Sequence, residues 1–232
     1  MAEQISFKTR TKNAAIQYAQ QYYSYYVCKE YLILSDAFTD KPYYIIQAEK
    51  DNYLHLVGVS TSLSAKVFFE KCFDGSLTED DFEISSHGQD EKSSKGSIRR
   101  KIKSLPLITG MINGSCKVEE NFQKNTIFCS FASTNSSCTI GFISTPNARP
   151  KTLLLGDELD ASKAKPLILA LSKNRSEDKF NTILVGTDDE IKKHFDEISE
   201  FLSEELLQQI VPSQADPSNP NSTNIDDMEK PS

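Results

Sequence analysis

The periodicity of the chain changes near Gly114, and this change constrains the fold more than any other feature. Before it, apolar residues recur mostly at helical spacing; after it, they form short runs separated by Gly, Pro and Asn-Ser turns. These runs predict strands at residues 116–119, 126–132, 138–144, 152–155, 167–172 and 182–185. The second half of the chain is therefore predicted to be mostly sheet, arranged as an antiparallel meander.

Four helices are predicted from spacing and from helix-ending residues. They cover residues 12–35, 62–75, 97–111 and 188–210. Pro106 should kink or divide the third helix. The fourth has a continuous apolar stripe, which would dock on the sheet or bind a partner. Residues 212–232 are too polar to build a core, so we expect an acidic, disordered tail.

Composition describes one sizeable domain with appendages: 232 residues, 38% hydrophobic and 25% charged. No apolar run reaches the roughly 20 residues that span a bilayer, and the N-terminus lacks the apolar centre of a signal peptide. We therefore expect a cytoplasmic protein without a membrane partner. Five cysteines without C-x-x-C spacing favour reduced packing residues over disulfides or a zinc site. Motifs for nucleotide hydrolysis, dinucleotide binding, zinc proteolysis and esterase chemistry are absent from the sequence.

His55 is the best catalytic candidate, because its ordinary pKa suits proton transfer near neutral pH. The apolar run around it predicts a strand over residues 52–59, paired in a hairpin with a strand over residues 43–48. Alternation would place His55 on the same face as Tyr53 and Val57. The alternative interpretation is a hydrogen-bonded histidine inside the core.

A basic run opposes the net charge of −7: residues 95–103 hold five cations in nine positions. On a helix anchored by Ile98 and Ile102, the side chains of Arg99, Arg100 and Lys103 would point outward and meet phosphate. The alternative is an ordinary solvated helix face. The three histidines lie in different predicted elements and share no ligand spacing, so we expect no metal site and no cofactor.

Several short segments, taken in order, resemble a known family. They are His55-Leu56-x-Gly58-Val59, the helix Ser64-Ala65-Lys66-x-Phe68-Phe69-x-x-Cys72, the run Arg99-Arg100-Lys101-Ile102 and the segment Leu171-Ser172-Lys173-x-Arg175. In strand, helix and sheet context these are similar to the fourth phage-associated nuclease family of the Barnase–EndoU–colicin–RelE (BECR) fold. The resemblance implies an α+β fold with helices packed on an antiparallel sheet. It also implies metal-independent RNA cleavage in phages, prophages or conjugative elements of bacteria.

The resemblance implies that its motif positions are site members, and the chemistry of RNA cleavage suggests roles for them. RNA cleavage of this kind needs a base for the ribose 2′-OH, an acid for the leaving 5′-oxygen and cations for the phosphate. His55 would be the acid or base. The expected phosphate and transition-state contacts are Lys66, Arg99, Arg100, Lys103, Lys173 and Arg175, and Ser172 or Thr139 would orient the substrate as a hydroxyl donor. For Lys66, Lys173 and Arg175 the alternative is an ordinary surface position.

Other functions stay open at this point. The negative net charge and the lack of a sequence-adjacent partner for His55 also fit a mobile-element accessory protein that binds RNA or a host protein without cleaving it, for example as a defence inhibitor. A toxin with a cognate antitoxin is a third hypothesis. The predicted organisation is a helical segment at residues 1–35, a nuclease domain at 36–187, an amphipathic helix at 188–211 and the tail at 212–232. RNA, including tRNA, is the expected substrate, and the last helix is the expected site for a protein partner.

Overall fold

The computed structural model describes residues 5–84 and 91–210, except for the side chain of Glu91. Within these ranges there are seven α-helices and eleven strands. The helices are α1 (Phe7–Tyr22), α2 (Asn52–Val57), α3 (Ala65–Phe73), α4 (Glu91–Ser104), α5 (Asp188–Lys193), α6 (Phe195–Ile198) and α7 (Glu204–Ile210). The strands are β1 (Lys29–Leu34), β2 (Tyr44–Ile46), β3 (Lys117–Glu120), β4 (Gln123–Lys124), β5 (Ile127–Phe128), β6 (Phe131–Thr134), β7 (Cys138–Ser144), β8 (Ala148–Leu155), β9 (Lys165–Pro166), β10 (Leu169–Asn174) and β11 (Thr182–Val185).

Nine of these strands form one sheet in the order β11-β10-β1-β2-β8-β7-β6-β3-β9, and β4 and β5 form a separate hairpin. The pairs are antiparallel except that of β2 with β8, where Ile46 is the partner of Ala148. The expected α+β class is confirmed, but the sheet is mixed rather than purely antiparallel. The predicted meander holds for β6, β7 and β8, whereas β10 crosses to the other end of the sheet and pairs with β1.

Alternate residues of β1 serve two cores, one on each face of the sheet. Tyr31 and Ile33 pack into the large core that α1 to α4 cover. Leu32 and Leu34 pack into a second core with residues of α5, α6 and α7. Because successive strand side chains point to opposite faces, the N-terminal and C-terminal helices lie on opposite sides of the sheet.

The predicted helix over residues 12–35 is wrong in its second half. The α-helix ends at Tyr22, a π-helical turn covers Tyr23–Val27, and the chain continues as β1. Burial explains the error, because β1 is covered on both faces and so reads as a continuous apolar run without alternation. Because β1 pairs with both β10 and β2, the sheet includes residues on both sides of position 35.

The predicted helix over residues 188–210 is also wrong as a single element. It breaks at His194, where φ is −106° and ψ is 18°, and again at a 3-10 turn over Ser199–Phe201. Its apolar stripe nevertheless docks on the sheet, because Ile191, Ile198 and Leu206 pack into the second core. Docking is one of the two roles predicted for this stripe. The expected tail at residues 212–232 lies outside the described residues.

Other predictions agree with the structure. Ser64 caps α3 through its hydroxyl, which accepts a hydrogen bond from the Val67 amide. The helix of the basic run ends at Ser104, and Pro106 lies in the following 3-10 turn Leu105–Gly110, as expected from the divided pattern. All five cysteines are free. In the described part of the chain no helix is both long enough and apolar enough to cross a bilayer.

Candidate active site

His55 lies in helix α2, so the predicted hairpin is wrong. Tyr53, Leu56 and Val57 are buried, and their spacing places them on one face of the helix. His55 points away from that face and is exposed, which also contradicts the alternative of a core histidine. The helix ends at Gly58, whose φ of 78° is left-handed.

A cavity of about 690 Å³ opens between α4, β8 and the β4–β5 hairpin, and we call it the basic groove. Four cations line it: Arg100, Lys101, Lys124 and Lys151. Among its described lining residues the only acid is Glu158, which forms a salt bridge with Lys124. The Lys151 ammonium donates to the Phe128 carbonyl at 2.7 Å, a contact that holds the side chain without neutralising its charge. The groove is therefore suited to a polyanion.

Lys101 joins this groove to His55. Its ammonium donates a hydrogen bond to the backbone carbonyl of His55. Burial lowers the pKa of Lys101 from 10.5 to about 8. Desolvation, and then the charges of Lys101 and Lys151, lower the pKa of His55, while Asp51 acts in the opposite direction. At neutral pH the pair therefore offers a neutral imidazole that can accept a proton beside a cation that can stabilise negative charge or donate a proton.

A second cavity, of about 760 Å³, lies beside the N-terminus of α2, and we call it the mixed cleft. Lys66 and Arg175 of the predicted site line it. The Arg175 guanidinium is already engaged, because it forms a salt bridge with Glu49 and donates to the Ala48 carbonyl at 3.1 Å. The hydrogen bond to Glu49 and the charge of that carboxylate raise the pKa of Arg175. The cleft therefore carries both signs of charge, unlike the basic groove.

Lys173 and Ser172 lie in neither cavity lining. The Lys173 ammonium is 3.2 Å from a carboxylate oxygen of Glu30 and donates to the Glu177 carbonyl at 2.8 Å. Ser172 is buried in β10, opposite Tyr31 of β1. Ser172 and Lys173 therefore make contacts within the protein and do not line either cavity.

Thr139 is buried and holds a loop. Its hydroxyl donates to the Gly156 carbonyl at 2.9 Å and accepts from the Glu158 amide at 3.0 Å. Because both contacts are internal, the hydroxyl secures the chain that follows β8, next to the basic groove. Thr139 is not among the residues that line the groove itself.

The cations of the basic run lie on two different sides of α4. Arg100 and Lys101 line the basic groove, whereas Arg99 and Lys103 do not. The Arg99 guanidinium lies 5.7 Å from the centre of the Phe7 ring, a cation–π contact with the start of α1. Lys103 is exposed. Arg99 and Lys103, four residues apart, share one side of α4, whereas Arg100 and Lys101 lie on the side that faces the groove.

The sequence pattern of a nuclease family, described as phage-Barnase-EndoU-ColicinE5/D-RelE like nuclease 4, matches residues 15–182. The chain belongs to this BECR nuclease family. Comparisons with curated proteins and with solved structures give no significant match. The family match includes His55, the basic groove and the mixed cleft, and it ends before α5. Helices α5, α6 and α7, on the opposite side of the sheet, therefore lie outside the residues of this BECR nuclease that match the family.

Sequence reasoning missed Lys101, Lys124 and Lys151 as site residues. Lys101 stood inside the basic run, but nothing in its spacing set it apart from its neighbours. Lys124 and Lys151 are single lysines whose approach depends on how the β4–β5 hairpin and β8 pack, and local patterns do not carry that information. In the described part of this BECR nuclease, no group of three or more His, Cys, Asp or Glu side chains is arranged to hold a metal ion.

Proposed function

We propose that this BECR nuclease is an RNA endonuclease that works without a metal ion. The ribose 2′-oxygen attacks the adjacent phosphorus as its proton passes to the neutral imidazole of His55. The bond from phosphorus to the 5′-oxygen then breaks, and the leaving oxygen takes a proton from Lys101. The products are a 2′,3′-cyclic phosphate and a free 5′-hydroxyl.

The observation that carries this proposal is the hydrogen bond from Lys101 to the His55 carbonyl at the basic groove. Lys101 thereby connects His55, which does not itself line the groove, to a cavity lined by four cations in a protein whose net charge is −7. Local positive charge of this kind attracts phosphate in spite of the overall charge, and fixed cations stabilise the charge that develops on the transferred phosphoryl group.

The family also supports a biological setting for the proposal. We infer that the enzyme acts in the cytoplasm of a bacterium that carries a phage, prophage or conjugative element, with host RNA such as tRNA as the substrate. The family description names nucleases associated with phages, and a ribose 2′-hydroxyl is the nucleophile that the proposed chemistry requires.

The test is incubation of the purified protein with total RNA and with tRNA in EDTA. The wild type is expected to give fragments that end in 2′,3′-cyclic phosphate, and the folded variant His55→Ala is expected to give none. His194→Gln is the matched control, because His194 pairs with Glu197 on the opposite side of the sheet. Cleavage that needs added metal, or that survives in His55→Ala, would contradict the proposal.

A second candidate function is binding of a host or cognate protein. It is favoured by the C-terminal helices, since residues 188–210 contain eight acidic residues against two lysines and lie outside the family match. Such a surface suits a basic partner. Folded protein that cleaves neither RNA sample would favour this function over the first.

A further inference from the structure

The mixed cleft comes near His55 at the start of α2. Asp51 lines the cleft and precedes His55 by four residues, so the two side chains lie one turn apart on the same side of the chain at α2. Asp51 is close enough to raise the pKa of His55, while Lys101 and Lys151 of the groove lower it. His55, about 6 Å along the chain from Asp51, lines neither cavity but is influenced by charges from both.

One wall of the cleft is an aromatic ring held at a fixed angle. Tyr23 begins the π-helical turn, is half-buried, and lines the cleft. Its ring stacks against Phe69, with centroids 6.3 Å apart, and meets Phe73 edge-on at 4.9 Å. A ring supported from behind in this way, with part of its surface in an open cavity, is suited to stacking with a flat ligand.

The charged side chains of the cleft differ in whether they have partners. Lys50 pairs with Glu70 at 3.4 Å, and Arg175 pairs with Glu49. Within the described part of the chain, neither Lys66 nor Asp51 has a salt bridge, and the Asp51 carboxylate does not cap α2. The cleft thus presents one cation and one carboxylate whose hydrogen bonds a ligand can satisfy.

We infer that the mixed cleft is a nucleotide subsite that selects the base beside the cleaved bond. Tyr23 stacks with the base, Lys66 contacts the phosphate farther from His55, and Asp51 accepts a hydrogen bond from an exocyclic amino group. Adenine, guanine and cytosine carry that group, whereas uracil presents carbonyl oxygens there, so the subsite disfavours uracil. This inference rests on the proposed function, since it gives the substrate of the same site a preferred base.

The binding test uses calorimetric titration of the full-length protein with AMP, GMP, CMP and UMP. We expect UMP to bind at least fivefold more weakly than the tightest of the other three. Tyr23→Leu should weaken binding about tenfold, whereas Tyr23→Phe, which keeps the ring, should stay within twofold. Asp51→Asn should remove the preference against UMP, because an amide can donate to a carbonyl oxygen.

Two lysine variants test this subsite. Lys66→Gln should weaken nucleotide binding several-fold, and Lys193→Ala, on the opposite side of the sheet, should leave it unchanged. The reverse pattern, equal affinity for all four nucleotides, or no effect of Tyr23→Leu in a protein with wild-type circular dichroism would overturn the inference. Absence of measurable binding to any nucleotide would overturn it as well.

Failure of this inference and failure of the endonuclease proposal give different results. Nucleotide binding with the expected variant pattern, together with no RNA cleavage, supports the subsite and contradicts the endonuclease. Cleavage that depends on His55, together with nucleotide binding that is unchanged by the substitutions at Tyr23, Asp51 and Lys66, supports the endonuclease and contradicts the subsite.

Discussion

The ammonium of Lys101 donates a hydrogen bond to the backbone carbonyl of His55, and the methylene groups of the same lysine fill the space beside Gly58. A Cβ atom on Gly58 would lie 2.5 Å from Lys101 Cδ. The absence of a side chain at the C-terminus of α2 is therefore what allows a cation of α4 to reach the histidine. The proposed chemistry depends on this contact between two helices.

Gly58→Ala is expected to reduce cleavage by displacing Lys101. It should also lower the free energy of unfolding by about 1–2 kcal/mol, because a left-handed φ strains any L side chain. Gly75→Ala is the matched control: its φ is 81°, but nothing lies within 4 Å of the added Cβ. Urea unfolding should show similar losses for both variants, while the cleavage rate should fall mainly in Gly58→Ala. Equal rates in the two variants would contradict the role of Lys101.

The pH dependence of cleavage should be bell-shaped. His55 must be neutral to accept a proton, so the rate rises as pH increases through its lowered pKa. Lys101 must be protonated, so the rate falls as pH increases through about 8. Lys101→Arg keeps a charge at all these values but is too weak an acid to donate the proton, so the rate should fall at least about a hundredfold and the decline near pH 8 should disappear. A profile of kcat/KM that is flat from pH 7 to pH 10 in the wild type would exclude this assignment.

The basic groove predicts a salt-dependent affinity for RNA. Each lost phosphate contact should make the slope of log affinity against log salt shallower by about 0.7 for a single strand. Arg100→Ala and Lys151→Ala are expected to show this change with an uncleavable 2′-O-methyl RNA in fluorescence anisotropy. Lys193→Ala, on the opposite side of the sheet, should keep the wild-type slope. An equal change of this slope in all three variants would show that the overall charge of the protein, rather than the basic groove, determines its affinity for RNA.

Lys173 is expected to stabilise the fold and to leave cleavage unaffected. Lys173→Met removes the main cation of Glu30, whose side chain is only 11% exposed, and should cost about 2 kcal/mol of unfolding free energy. Lys192→Met is the control, because its pair with Asp189 is largely exposed and should contribute less than about 0.5 kcal/mol. Chemical denaturation measures both. A Lys173→Met protein that is stable but no longer cleaves RNA would show that Lys173 belongs to the active site.

The sequence predicted strands well where both turn residues and alternation were present. The predicted strands at residues 138–144 and 182–185 match β7 and β11, and each lies between clear turn residues. Prediction failed for β1, where burial on both faces removed the alternation. It failed for α2 because Tyr53, Leu56 and Val57 fit a helix and a short apolar strand alike.

The candidate site shows the same division between local and long-range information. His55 was found because its side-chain chemistry is visible in one residue, although its element was wrong. Lys173 and Thr139 were expected at the site because a sequence does not show that Glu30 and Gly156 already engage them. Only the packing of the β4–β5 hairpin against β8 brings Lys124 and Lys151 to one groove.

The endonuclease proposal is tested most directly with a DNA oligonucleotide that contains one ribonucleotide, incubated with the protein in EDTA. We expect a single cut on the 3′ side of the ribonucleotide, a 2′,3′-cyclic phosphate on the upstream fragment, no cut in the all-DNA strand, and no cut by His55→Ala. Cleavage of the all-DNA strand, or cutting by wild type and His55→Ala at the same rate, would contradict it.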